Sequence, residues 1–551
     1  LLAEAADKQG MKKTLSTGAL IAFGIGAVIG AGLFSITGVA AANYAGPAII
    51  ISFLIGAVGC AFAGLCYAEF SSLIPVSGSA YTYSYATLGE FVAWIIGWDL
   101  VLEYSVGAGI VASSWSGYLS ELLHSFGYTL SPQIIMSPFE TATLANGQVV
   151  HGILNLPSVF IVFVMSFVLM HGIKGSSRMN NVIVALKVSI VLIFIFVGIK
   201  YVNPVNFHPL IPANKGHFGE FGWSGVFRAA AMVFFAYIGF DAVSTTAQET
   251  KNPQKSMPWG ILGSLFICTI LYIAFAYVMT GVANYTLFNT GSSKLAPVAT
   301  AISHMGTMGA NGVIVPAYPW LNRLIIIAIL LGYSSVILVM LLGQSRVFYS
   351  MSRDGLIPDI FSHLHPKYRT PAKCNMIFMV FVSLIAAFVP GKIIGDMCSI
   401  GSLFAFSLVC IGIIIVRKHK ADANASFKTP LVPLIPILGV IVCMSMMLSL
   451  GTATWIRLVI WMIIGFDIYM VRGTKYSHLS KNDSDEEKRR THRVTAISGY
   501  AVCAILVFIT FINHYVTEDD DKFMSIFSTA FVVLHIIYYT YFLLKNKKKI
   551  E

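Results

Sequence analysis

Gly24-Ile25-Gly26-Ala27-Val28-Ile29-Gly30-Ala31-Gly32-Leu33-Phe34 places four glycines within nine residues of an otherwise apolar run. Glycine is accepted in membrane helices where backbones pack closely. The pair at 30 and 32 is also suited to a break in the helix. Unwinding there exposes N–H and C=O groups, which a bilayer tolerates only against protein, ligand or water. Helix packing and a functional break both remain open from this segment alone. A dinucleotide loop is excluded: the spacing is GxGxxxG, no strand precedes it, and the run is membrane-like.

The rest of the chain supports a membrane setting. Of 551 residues, 56% are apolar and 11% charged, against about 25% charged in soluble domains. The mean hydropathy is +0.77. This composition argues against a soluble enzyme, a secreted disulfide scaffold and a disordered chain. The eight cysteines lie in or beside apolar runs, with no CxxC pair and no zinc-like spacing. They read as small buried or lipid-facing groups. No metal and no cofactor are expected. No cleavable signal peptide is expected either, because the first apolar segment is long and glycine-rich.

A membrane helix needs about 20 mostly apolar residues. Fourteen runs qualify: 17–42, 46–71, 88–118, 153–172, 177–199, 223–248, 258–282, 319–351, 373–390, 395–417, 431–450, 452–472, 494–514 and 523–544. Barrel strands would instead be about ten residues of alternating pattern. With the first residue inside, only Lys200, Lys215, Lys294, Arg323, Lys392, Arg457 and Lys522 fall outside. Lys187, Arg228 and Arg346 fall within spans, and the remaining basic residues collect on the cytoplasmic side. The positive-inside rule therefore predicts an even number of spans and two cytoplasmic termini. The net charge of +11 reflects this loop bias rather than a nucleic-acid surface. Expected partners are the plasma-membrane lipid bilayer and a small solute; a small accessory membrane subunit is left open.

The sixth span repeats the oddity of the first. Phe234-Phe235-Ala236-Tyr237-Ile238-Gly239-Phe240-Asp241 sets a lone glycine and a carboxylate inside an apolar stretch. A charge at that depth costs about 2.5–3.5 kcal/mol on permissive scales, so it marks a cavity, a partner or a proton site. A polar inner vestibule is the plainer explanation of Asp241. Interrupted helices at matching positions of two five-helix units point to an inverted-repeat carrier. Half-helix N-termini favour a carboxylate, and half-helix C-termini favour an ammonium. Such a site holds the backbone of an amino acid without charged side chains.

Lys187 in the fifth span lies some ten residues from either end, too deep to snorkel easily. An amine held away from water can exchange a proton; a structural tie is the alternative. Asp99 and Glu103 in the third span share one helix face. Glu103 can serve a cationic substrate, and Asp99 can simply lie near the inner interface. Glu69 reads as half of an inner gate pair with an unreadable partner. Arg228 reads as an outer gate contact or an ordinary interfacial residue.

Taken with Gly97-Trp98-Asp99-Leu100-Val101-Leu102-Glu103-Tyr104, Gln248-Glu249-Thr250-Lys251-Asn252-Pro253-Gln254-Lys255, Ser345-Arg346-Val347-Phe348 and Arg353-Asp354-Gly355, these segments identify a resemblance. Over roughly 14–475 the chain resembles the amino acid–polyamine–organocation (APC) transporters, near their cationic amino acid transporter branch. The resemblance implies an all-α polytopic, LeuT-like fold with alternating access. Its parts would be a cytoplasmic segment 1–16, a first inverted repeat 17–200 and a second at 223–417. Additional helices would follow at 431–472, then a charged linker 473–493, helices 13 and 14 at 494–544, and a basic tail 545–551. Substrate would bind Ile29, Gly30, Ala31 and Gly32 on the first span, and Phe235, Ala236 and Gly239 on the sixth. Phe235 would be an aromatic lid. Lys187 and Asp241 would handle protons, and Glu103 matches the third-span carboxylate of the cationic branch. Met340 departs from that branch, where a serine is expected, and can favour a small neutral substrate.

The expected function is proton-coupled uptake of arginine or lysine. Small neutral amino acid symport and amino acid/amine exchange are the alternatives. Lys187 argues against sodium coupling. A channel would need a filter motif. A membrane enzyme would need a clustered catalytic set, whereas His151, His171 and His535 are scattered.

Overall fold

The computed structural model describes residues 15–74, 79–143, 147–171, 176–289, 296–308, 314–368, 370–419, 426–473, 476, 485–516 and 522–548. The expected segment 1–16 falls almost wholly outside these residues, as do most of the linker between 473 and 485 and the end of the tail.

The described residues are mostly helical. In order it forms α1 (Thr17–Val28), α2 (Ile49–Leu73), α3 (Ser79–Thr87), α4 (Glu90–His124), α5 (Leu156–Met170) and α6 (Ser176–Gly198). Then come α7 (Gly222–Val233), α8 (Pro253–Val282), α9 (Pro297–Ser303), α10 (Pro319–Arg353) and α11 (Ala372–Phe388). The series ends with α12 (Gly391–His419), α13 (Leu434–Ser449), α14 (Thr452–Ile468), α15 (Asp485–Val516) and α16 (Lys522–Lys548). Between α1 and α2, residues 32–45 continue the first span in wide and ordinary helical turns.

Local chemistry explains many boundaries. The Ser16 hydroxyl accepts from the Ala19 amide, and Asn155 accepts from the Ser158 amide, capping α1 and α5. Proline occupies the first turn of α5, α8, α9 and α10, where a missing N–H removes no helical bond. Gly451, with φ +83°, turns the chain between α13 and α14. Two short hairpins cover the expected outer loops: β1 (Thr141–Thr143) with β2 (Val149–His151), and β3 (Gly306–Met308) with β4 (Ile314–Pro316).

Eight helical stretches among the described residues are long and apolar enough to cross a bilayer. Shorter apolar helices, including α1, α5, α11 and α13, fall on other expected spans. Many leucines, isoleucines and phenylalanines of these helices are exposed, and the protein is an all-α multi-pass membrane protein.

Eight of the helices pack in two sets. α1, α2, α7 and α8 pack on one another, as do α4, α5, α10 and α11. α6 touches α1, α8 and α10, so it stands between the sets. α15 and α16 lie apart from this core, meeting α14 through Ile456, Ile463, Leu506 and Tyr539.

Candidate substrate and coupling site

Both expected interruptions are present. α1 makes its last turn with the Ile29 amide bonding the Ile25 carbonyl at 2.9 Å, and Ile29 itself is extended. The Gly30 carbonyl then accepts from Leu33 and Phe34, each at 3.2 Å, and a new helical run begins. The amides of Gly30, Ala31 and Gly32 thus lead a helix N-terminus, where N–H groups have no partner within the helix. In the sixth span, α7 tightens through Phe234–Tyr237, Ile238 is extended, and Gly239 takes φ +109°. Only glycine adopts that conformation without strain.

The two breaks face each other. A side-chain carbon on Gly32 would overlap the Ala236 backbone, and one on Gly239 would lie 2.9 Å from the Ala27 carbonyl oxygen. Ile29, Ala31, Phe235 and Ala236 are all buried. Amides from one half-helix and carbonyls from the ends of two others therefore converge on a small region. That is the donor and acceptor set an α-amino acid backbone requires.

α10 runs past this region like a ruler. Gly332 packs on the Lys187 stem, Val336 on Gly30, Met340 on Gly107 of α4, and Gly343 on the Tyr104 ring. Lys187 is 2% exposed, and its Nζ donates to the Gly26 carbonyl at 2.8 Å. The amine accordingly points at the first half-helix. Met340 is buried, with its sulfur against Gly107.

Glu103 lies one turn from Gly107 on the same face of α4. Its electrostatic neighbours are Asp241 and Asp99, and Cys398 donates to its backbone carbonyl at 3.4 Å. Tyr104 donates to Asp241 Oδ2 at 2.8 Å. Neither oxygen of the fully buried Asp99 accepts a hydrogen bond among the described residues. The two residues assigned by sequence to separate tasks, Glu103 and Asp241, thus belong to one acidic cluster beside Met340. Tyr104, which the sequence reading passed over, completes it.

The gate candidates acquire partners. Glu69 on α2 receives Arg417 of α12 through both oxygens, at 2.6 and 3.1 Å, and also the Thr429 amide at 2.8 Å. Such a two-pronged contact is geometrically specific. Arg228 of α7 meets Asp396 of α12 at 3.4 Å and donates to the Ser449 carbonyl at 2.8 Å. It also lies over the Tyr44 ring. Elsewhere Tyr118 donates to the Phe34 carbonyl at 2.6 Å, and Tyr333 pairs with the Ser35 hydroxyl at 2.8 Å. These contacts join the second half of the first span to α4 and α10.

The chain matches the amino acid permease family over residues 15–466 and belongs to it. It is 42% identical over 484 residues to the branched-chain amino acid permease BcaP of Bacillus subtilis (strain 168), covering 87% of this chain and 97% of that one. It is 40% identical over 480 residues to the methylthioribose transporter of the same strain, with the same coverages. Cationic amino acid transporter 1 of Arabidopsis thaliana is 32% identical over 418 residues, covering 76% of this chain and 65% of that one. The protein is a secondary active amino acid transporter of the APC superfamily, and not an enzyme. Among these relatives, the two with the higher identities are named for neutral solutes, which weighs against the cationic expectation.

Proposed function

We propose that the protein carries a neutral amino acid into the cell together with protons, by alternating access. The single observation that supports the neutral reading is Met340. Its side chain is buried on the face of α10 that also presents Val336 to Gly30. It shortens the space beyond the backbone cradle, where a long cationic side chain would have to extend. Glu103, the electrostatic cue for a cationic substrate, is better explained as a member of the Asp241 cluster.

In this reading the substrate carboxylate takes the amides of Gly30, Ala31 and Gly32, and its ammonium takes carbonyls at the ends of the first half-helices. Phe235 covers the bound substrate, and Ala236 and Gly239 keep the opposite wall thin. The protonated Lys187 amine holds the first half-helix through the Gly26 carbonyl; charged hydrogen bonds of this kind contribute about 1.5–3 kcal/mol. Losing that proton weakens the tie and frees α1 to move. Asp241 and Glu103 exchange protons within the acidic cluster. Glu69–Arg417 closes the inner side, and Arg228–Asp396 the outer side.

The helices are then fourteen spans, with both termini cytoplasmic in the plasma membrane. The composition of the two packing sets supports paired five-helix repeats: α1, α2, α4, α5 and α6 correspond in order to α7, α8, α10, α11 and α12.

Competition of unlabelled leucine, alanine, arginine and methylthioribose against labelled alanine tests the substrate class. Neutral amino acids should compete best. Met340→Ser leaves one heavy atom beyond Cβ where methionine has three, and should raise the arginine-to-alanine ratio by roughly tenfold or more. An unchanged ratio would remove Met340 from the selective pocket. In the same assay Glu103→Gln should lower both substrates alike; a selective loss of arginine would restore the cationic reading.

A further inference from the structure

Tyr272, in the middle of α8, is fully buried in an apolar helix, yet its hydroxyl has a specific destination. Its Oη lies 2.8 Å from the Val28 carbonyl and 2.8 Å from the Ala236 carbonyl. Val28 is the last residue of α1, and Ala236 sits in the final tight turn before Ile238 and Gly239. Both carbonyls therefore belong to helix ends, where no following amide completes the pattern. One phenol carries one proton, so this hydroxyl is shared between the two breaks.

The ring is held in place. Tyr237 lies 5.3 Å away and Phe53 5.5 Å, centroid to centroid. The Tyr237 hydroxyl is itself committed to the Phe53 carbonyl at 3.0 Å. A tyrosine confined in this way offers its donor at one point only. Each carbonyl also keeps a second lone pair for another donor.

We propose that Tyr272 is a positioning residue that fixes the spacing between the two carbonyl-bearing half-helix ends, and so sets how tightly they receive a substrate ammonium. The inference rests on the reading of the breaks as an amino acid site. Tyr272, Val28 and Ala236 all belong to the α1, α2, α7 and α8 set, so the tie survives a movement of that set as a body. In this it differs from the Tyr118–Phe34 and Tyr333–Ser35 contacts, which cross to α4 and α10. Tyr272 accordingly governs affinity rather than opening. Because it acts on the part common to all amino acids, its effect is the same for every side chain.

Tyr272→Phe, purified and reconstituted in liposomes, is the test. The KM of each transported amino acid should rise about tenfold, the loss expected for one well-placed hydrogen bond. Vmax and the ratios between substrates should stay near those of the unmodified carrier. Substrate-induced thermal stabilisation, which reads binding without transport, should shrink in parallel. 3-Fluorotyrosine inserted at position 272 keeps the ring and makes the hydroxyl a stronger donor; its KM should equal or fall below that of tyrosine. An unchanged KM in Tyr272→Phe, a fall in Vmax alone, or a raised KM with fluorotyrosine would overturn the inference. An unmodified protein that neither binds nor transports any amino acid would instead overturn the reading of the site.

Discussion

Lys187→Ala is expected to reduce proton-driven uptake about 100-fold, while the protein still inserts and folds. The expectation follows from the place of the amine. The Lys187 stem lies on Gly332 of α10, and its Nζ reaches the Gly26 carbonyl in the last turns of α1. It therefore joins a helix between the two packing sets to the half-helix that must move. A hydrogen bond from a charged group is worth about 1.5–3 kcal/mol, and the upper end corresponds to about 100-fold. Alanine also leaves the carbonyl without this donor and removes the only basic side chain placed deep in the first five spans. Uptake of labelled substrate over a range of external pH measures the effect. Residual uptake should lose its dependence on pH. Unchanged rate and pH dependence would show that Lys187 merely fastens α6.

Gly32→Val should be nearly as damaging for a different reason. A Cβ at Gly32 would occupy the position of the Ala236 backbone, which has no flexible end to move aside. The two breaks would have to separate, carrying the amides at 30–32 away from the opposing carbonyls. Overpacking of this sort costs about 1–3 kcal/mol, or more when backbone must shift. Transport should fall below roughly a tenth of normal, with a lowered melting temperature. Gly18→Ala supplies the comparison, since nothing lies within 4 Å of a Cβ there; its uptake should be normal. Normal uptake by Gly32→Val would mean that the breaks do not approach during the cycle.

The features legible in the sequence were those that violate a local expectation. Glycines at 30, 32 and 239, a carboxylate at 241 and a lysine at 187 each contradict the apolar run around them. Each of them sits at a break or beside one. Partners were not legible, because they lie far away along the chain. Arg417 is 348 residues from Glu69, and nothing in the spacing connects them. Asp396 could not be matched to Arg228 for the same reason. Tyrosines were a further blind spot: an apolar body with one polar tip suits a membrane helix anywhere. The hydroxyls of Tyr104, Tyr118, Tyr272 and Tyr333 gain meaning only from the carbonyls, hydroxyl and carboxylate they reach. Glu103 shows the same limit. Its helix face was readable from i, i+4 spacing, but its grouping with Asp241 depends on how α4 meets the sixth span.

Proton coupling at a neutral amino acid site is tested most directly by uptake of labelled alanine and leucine into proteoliposomes at zero membrane potential. The external medium is made acidic relative to the lumen, with and without sodium, and no amino acid is placed inside. The expected result is accumulation above the external concentration, indifferent to sodium and abolished when the proton gradient is dissipated. Accumulation driven by sodium, or uptake that appears only against a preloaded amino acid and ignores the proton gradient, would contradict it.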